Sequence, residues 1–295
     1  MVSQFRCPFC NAPGRPSREH VWPKWLRKYP AYSDLRVQYK DEPLPEAVFP
    51  AFGRDEQDRF VSSEQPRGRA PLLPDLQVRV CTDCNSGWMA QLEEQAERIL
   101  KPWIKGSPTR QMLSRQDQRT LGAWVMKTAA AYSLYLPHHL QPFSQRQLGD
   151  LVGAVAPPGQ CLMWIAFSDD ESAHVAAQLI PFWFGTAQAA TPETVPSAGS
   201  FYLGVHGVVF LTHFWQGPEV MGRALALPRQ FRRDVQRVWP PRRHIKGPKR
   251  RIGSQQLSDM RRYLPALVAS IGINAEGLTE KEAELLFEDF MRGDP

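Results

Sequence analysis

The chain has 295 residues and 33.6 kDa, with 42 % hydrophobic and 22 % charged residues. That is enough apolar material to core one large or two ordinary domains, and it excludes wholesale disorder. No stretch approaches the ~20 uninterrupted apolar residues of a membrane span, and Met1 to Cys7 contains no apolar signal core, so the sequence predicts a cytoplasmic protein with no membrane partner. The formal charge of +6 is unevenly placed: residues 223–262 carry 13 Lys+Arg against Asp234 and Asp259, a local +11 that leaves −5 for the rest. A segment of this kind favours a localised polyanion-binding surface, although a solvated, solubilising loop carries the same composition.

In chain order, chemistry begins at the cysteines. Four of the five form two C-x-x-C pairs, Cys7-Pro8-Phe9-Cys10 and Cys81-Thr82-Asp83-Cys84, with 70 residues between them. Two-residue spacing lets both sulfurs of a pair converge on one ion, and two pairs complete a tetrahedral thiolate shell that suits zinc. A disulfide pairing needs an oxidising compartment, and a redox C-x-x-C normally stands alone. Cys161, in an apolar run, reads as a small core residue. The separation of the pairs is much longer than a bare zinc ribbon needs, so the ion is expected to support what lies between.

Directly after the first pair comes Ser17-Arg18-Glu19-His20-Val21-Trp22-Pro23-Lys24-Trp25-Leu26, and after the second comes Asn85-Ser86-Gly87-Trp88-Met89. Over residues 5–100 the sequence resembles the zinc-stapled branch of the HNH endonucleases, the ββα-metal family. Glu-His-Val-x-Pro and Cys-Asn-x-Gly-Trp-Met are the phrases that carry the likeness. The resemblance implies phosphodiester hydrolysis with His20 as general base, Glu19 and Asn85 holding a catalytic Mg²⁺ or Mn²⁺, and products with 5′-phosphate and 3′-hydroxyl ends. Such chemistry makes independent sense, since an imidazole is the natural base near neutral pH and oxygen ligands suit hard divalent ions. On a regular strand Glu19 and His20 would point to opposite faces, so serving one site requires the strand to bend or end there.

Each residue also has a plainer reading. Asn85 precedes Met89, Leu92 and Ala96 at helical spacing and fits an N-cap; Glu19 alone would be a surface charge; Trp88 and Met89 fit packing. The family's usual Asn shortly before the second C-x-x-C is missing, and Asp75 and Gln77 are the nearest substitutes for orienting the base. Asp75 would favour the charged imidazole, an unhelpful direction for a base. An insertion over residues 27–74, rich in Pro and charge, separates the two halves of the motif.

Residues 107–150 predict helix, with an N-cap at Ser114 and an apolar stripe of Leu121, Trp124, Val125, Thr128, Ala129 and Tyr132 ended by Pro137. Arg115, Arg119 and Lys127 read as solvated charges on that helix or as phosphate contacts. From Cys161 to about Leu225, short apolar runs bounded by turn residues predict a small antiparallel sheet. His206 and His213 fall in these runs at odd spacing, which puts them on opposite faces and argues against a shared metal. The basic stretch contributes Arg232, Arg233, Arg242, Arg243, Lys246, Lys249, Arg250 and Arg251 as nucleic-acid contacts, with Trp239 available for stacking, on what reads as a flexible extension. An acidic helix beginning at Thr279 closes the chain.

The expected architecture is therefore α+β: a ββα-metal (HNH) module stapled by a four-cysteine zinc site over residues 1–105, an accessory domain with a helical segment and a small antiparallel sheet over 106–228, and a basic segment with C-terminal helices over 229–295. The expected activity is metal-dependent cleavage of nucleic acid, double-stranded DNA first. Its rivals are a non-catalytic zinc-stabilised nucleic-acid-binding module and a protein-interaction module.

Overall fold

A computed structural model describes residues 5–29, 76–105, 112–134, 141–157, 159–170, 173, 175–182, 198–216, 227, 231, 233–248 and 250–260. Residues 30–75, which include Asp75 and all of the 27–74 insertion from position 30 on, lie outside the described residues, as do Arg232, Lys249, His138, His139 and the C-terminal helix expected from Thr279.

The described chain is α+β. A turn carrying Cys7 and Cys10 leads into β1 (Pro16–His20), which pairs antiparallel with β2 (Gln77–Cys81). The register is Pro16↔Cys81, Ser17↔Val80, Arg18↔Arg79, Glu19↔Val78 and His20↔Gln77. Between the strands, Trp22 and, within a short 3-10 turn over Lys24–Lys28, Trp25 and Leu26 are buried, so the apolar residues after the Glu-His pair anchor the end of β1 in the core.

After β2 the chain makes one helical turn, α1 (Thr82–Cys84), and a wide turn over Asn85–Met89 broken at Gly87 (φ −92°, ψ −110°). It continues as α2 (Ala90–Ile104), whose buried Leu92, Ala96, Ile99, Leu100 and Trp103 recur every three or four residues. The helix entry is capped by Cys81, whose sulfur accepts from the Cys84 N–H at 3.4 Å, so Asn85 is not the N-cap.

A short strand, β3 (Met112–Ser114), precedes α3 (Arg115–Ser133). As the sequence predicts, Ser114 caps α3, in a reciprocal box with Asp117: Asp117 N–H donates to Ser114 Oγ at 3.1 Å, and Ser114 N–H donates to Asp117 Oδ2 at 2.8 Å. The helical stretch expected over 107–150 is interrupted, with a separate α4 (Gln145–Asp150) capped by Ser144. From Gln118 to Ser133 almost every residue of α3 is buried, which makes it the central helix of the molecule rather than an amphipathic surface one.

The sheet is larger than expected. It contains β4 (Gln160–Ser168), β5 (Val175–Phe182), β6 (Ala198–Val205), β7 (Val208–Trp215), β8 (Gln236–Trp239) and β10 (Arg251–Ile252). The order is β10-β4-β7-β6-β5, with β8 also on β4; all pairs are antiparallel except β10 with β4. The remaining strand, β9 (His244–Lys246), pairs with β3. The basic stretch is therefore built into the fold as three short strands instead of trailing from it.

Every residue of β6 and β7 is buried, because both faces of the sheet are covered. Met163, Ile165, Phe201, Leu203 and Phe210 face a core that also holds Phe9, Trp22, Val80, Met89 and Trp124. Trp164, Tyr202, Val209 and Leu211 face a second cluster with Phe231, Leu257 and Met260. Residues of the cysteine-bearing hairpin and of the sheet thus share one core around α3. His206 is not in a strand: it forms, with Gly207, the tight turn between β6 and β7 (φ 48° and 77°).

Candidate functional site: a four-cysteine centre beside a two-faced hairpin

The sulfurs of Cys7, Cys10, Cys81 and Cys84 lie within 4.8 Å of one another, with Cys10 and Cys81 at 3.7 Å. A tetrahedron with Zn–S near 2.3 Å has S···S edges of about 3.8 Å, so the cluster has the size of a zinc shell and is too wide for a disulfide. Four thiols this close are hard to ionise without a cation. Burial pushes the thiols of Cys81 and Cys84 up; Cys7 is also disfavoured by burial, but backbone N–H donors outweigh this and bring it below its usual range. The four cysteines can hold a metal ion such as zinc, which would supply structural cross-linking between the first turn and the β2–α1 junction. Phe9 packs edge-on against Trp88, with ring centroids 5.7 Å apart, and Met89 is fully buried, so both aromatic and thioether act in packing around this centre.

From the cysteines the hairpin runs away with two different faces. Side chains of one strand alternate, so Ser17 and Glu19 share a face with Val78 and Val80, while Arg18 and His20 share the other with Gln77 and Arg79. Glu19 is only 5 % exposed, not a surface charge. Its Oε1 accepts from Lys127 Nζ at 2.6 Å, and the same ammonium donates to Glu93 Oε1 at 2.6 Å. Lys127 is completely buried in α3, neither solvated nor within reach of a phosphate. Burial alone would lower its pKa, but the two carboxylates reverse this and hold it above the ordinary lysine range. Burial pushes the Glu93 carboxyl up; Lys127 pulls it down, repulsion from Glu19 adds to the rise, and the rise prevails.

His20 ends β1 on the opposite face. Its Nε2 lies 2.9 Å from Nε2 of Gln77, its cross-strand partner. With the amide nitrogen donating, the ring is neutral and Nδ1 carries the hydrogen; with the amide turned over, Gln77 Oε1 accepts from Nε2–H and Nδ1 keeps its lone pair. Asn85 is tied back to β1: its Nδ2 donates to Ser17 Oγ at 2.7 Å and to the Arg18 carbonyl at 3.1 Å. The strand does not bend to bring Glu19 and His20 to one side, and Glu19 is held by an ammonium. The described residues therefore do not assemble a Mg²⁺ or Mn²⁺ site on Glu19 and Asn85; the cysteine quartet is the only cluster of three or more metal-ligating His, Cys, Asp or Glu groups among the described residues.

Of the basic residues, Arg233, Arg242, Arg243, Lys246 and Arg250 are exposed. Arg251 is engaged, with Nη1 at 2.7 Å from Asp169 Oδ1. The backbone of Arg242 is gripped from both sides by Gln118, whose Nε2 donates to the Arg242 carbonyl at 2.9 Å while Oε1 accepts from its N–H at 2.8 Å.

The sequence pattern did not single out Glu93, and it read Lys127 as a solvated or phosphate-contacting charge; Lys127 nevertheless carried a signal. Lys127 sits three residues after Trp124 and one before Thr128, a lone cation inside an apolar stripe, where a buried partner is the usual reason. No protein-family model matches the sequence, no curated protein is significantly similar, and no solved structure matches.

Proposed function

We propose that this chain is an HNH-type endonuclease that hydrolyses phosphodiester bonds in nucleic acid, with DNA the first substrate to test. The observation that carries the reading is the His20–Gln77 contact: a side-chain amide holds the candidate base at 2.9 Å from the position directly across the hairpin. Gln77 thereby takes the place expected of the missing motif Asn, and it does so without the charge that Asp75 would bring. In this reading Gln77 orients the imidazole, and a ring nitrogen of His20 removes the proton from the attacking water. The cysteine-bound zinc is structural in this scheme. Glu19 serves the site indirectly, by fixing β1 to Lys127 behind it.

Purified protein incubated with supercoiled plasmid, with Mg²⁺ or Mn²⁺ and without either, tests the proposal. Nicking should fall by about 10²–10⁴-fold in His20→Ala, the usual contribution of a general base. Gln77→Ala should lose a smaller part, with a shifted pH profile. Nicking equal to that of the parent protein in His20→Ala removes His20 from the mechanism.

A second reading has its own observation. Lys127 occupies the carboxylate that the resemblance assigns to the catalytic ion, as expected of a zinc-stabilised nucleic-acid-binding module that does not cleave. Duplex retention without nicking under any divalent ion would decide for it.

A further inference from the structure

We propose that Arg18 and Arg79 form a phosphate clamp on the open face of the β1–β2 hairpin, beside His20, and that its ligand is the phosphodiester backbone of a nucleic-acid strand. The choice of nucleic acid rests on the reading above; the clamp itself rests on the register. Arg18 and Arg79 are direct cross-strand partners, and both are exposed. Like charges placed opposite each other weaken a strand pair. Here they do so in a two-stranded sheet of only five pairs, the kind least able to absorb it.

Among the described residues, nothing cancels this charge. Glu19 is the acidic neighbour in sequence, but it lies on the other face and is held by Lys127. Among the described residues no carboxylate forms an ion pair with Arg18 or Arg79. Arg79 is steadied by lying over the Phe5 ring, 5.3 Å from its centroid, a contact that leaves its charge uncancelled. The Arg18 backbone is fixed from behind by Asn85 Nδ2. Two guanidinium groups on one face, that of Arg79 steadied by the Phe5 ring, invite an anion that accepts from both, and phosphate matches their forked donors.

Position adds the second half of the argument. Residues two apart on a strand share a face and are separated by about 7 Å. His20 and Gln77 are therefore the next pair along the same face, one step from the arginines. A strand gripped at Arg18 and Arg79 would present its neighbouring phosphodiester to His20.

The test is binding of a fluorescein-labelled 16-base-pair duplex, read by anisotropy across a salt series without added divalent ion. The double variant Arg18→Gln, Arg79→Gln should bind at least tenfold more weakly at low salt, and its slope of log K against log salt should shrink by about two. Its melting temperature should be no lower than that of the parent, because the repulsion is gone. Arg18→Lys with Arg79→Lys should recover the slope but not all of the affinity. Unchanged duplex affinity and slope in the Gln variant overturn the clamp, as does a loss seen equally with inorganic phosphate and with no preference for the duplex. Loss of binding in a protein that never nicks DNA upholds the clamp and ends the hydrolase reading; nicking with undiminished binding in the Gln variant does the reverse.

Discussion

The hairpin of β1 and β2 is antiparallel, as is the six-stranded sheet apart from the short β10–β4 pair, yet they are stabilised by different physics. The sheet is covered on both faces by apolar side chains, and its two inner strands are buried throughout. The hairpin has two five-residue strands and one buried face, too little to be stable alone. Besides the core it shares with α3, it is tied by a buried ion triad in its middle, and the four cysteines at its end can hold a metal ion such as zinc. The sheet is held by apolar burial spread over both faces; the hairpin leans on a few buried charges with named partners. The region with exact partners is also the one that carries the candidate chemistry.

The largest expected effect tests that division directly. Zinc should be present at one ion per chain, and Cys81→Ser or Cys84→Ser should abolish its binding, with a loss on the order of 10 kcal/mol of site stability. Hydrogen exchange should then show the hairpin amides unprotected while β6 and β7 keep their protection. Simultaneous loss of both regions would erase the contrast.

Next comes the triad. Lys127→Met leaves two carboxylates facing each other in a dry core and should cost about 3–5 kcal/mol in denaturant melts. Adding Glu19→Gln and Glu93→Gln to it should return most of that loss, since the penalty comes from uncompensated charge.

The two regions should also respond to acid with opposite sign. His213, buried in β7 against Trp164 and bonded to Ser200 Oγ at 3.1 Å, has its pKa pushed down by burial to about 3. The unfolded chain then binds more protons than the native one below its ordinary value of 6.5, so stability should drop as pH falls through that window, by at most about 1.4 kcal/mol per pH unit. Glu93 is raised, so the native state holds its proton longer, and its contribution should fall as pH rises out of the acid range. Melts of His213→Leu and Glu93→Gln from pH 4 to 7 separate the two slopes; slopes of the same sign would refute the assignment.

The smallest effect concerns the turn between β6 and β7. Gly207 has φ 77°, and a Cβ there would lie 2.5 Å from the Ser168 carbonyl oxygen. Gly207→Ala should therefore cost about 1–3 kcal/mol, with zinc content unchanged.

Parts of this were legible along the chain. The cysteine spacing states its own geometry, Ser114 and Asp117 spell a cap, and continuous apolar runs such as residues 208–215 mark strands buried on both sides. Other parts misled. Asn85 looks like a helix cap because the true cap, Cys81, is a residue type rarely used so. The basic stretch looks flexible because its strands are only two to four residues long, below what periodicity resolves.

By itself, then, the sequence determined the cysteine cluster, the helix that follows it, and the four long strands of the sheet, because each depends on spacing or on periodicity within a short window. The tertiary structure alone decided what Glu19, His20 and Arg18 do. Alternation along β1 separates their faces, but the partners that give those faces meaning come from elsewhere: Lys127 stands 108 residues from Glu19, and Gln77 57 residues from His20. Local pattern records how a side chain points. Whether it meets an ammonium, an amide or open water depends on where distant segments pack, and that is fixed only when the core around α3 closes.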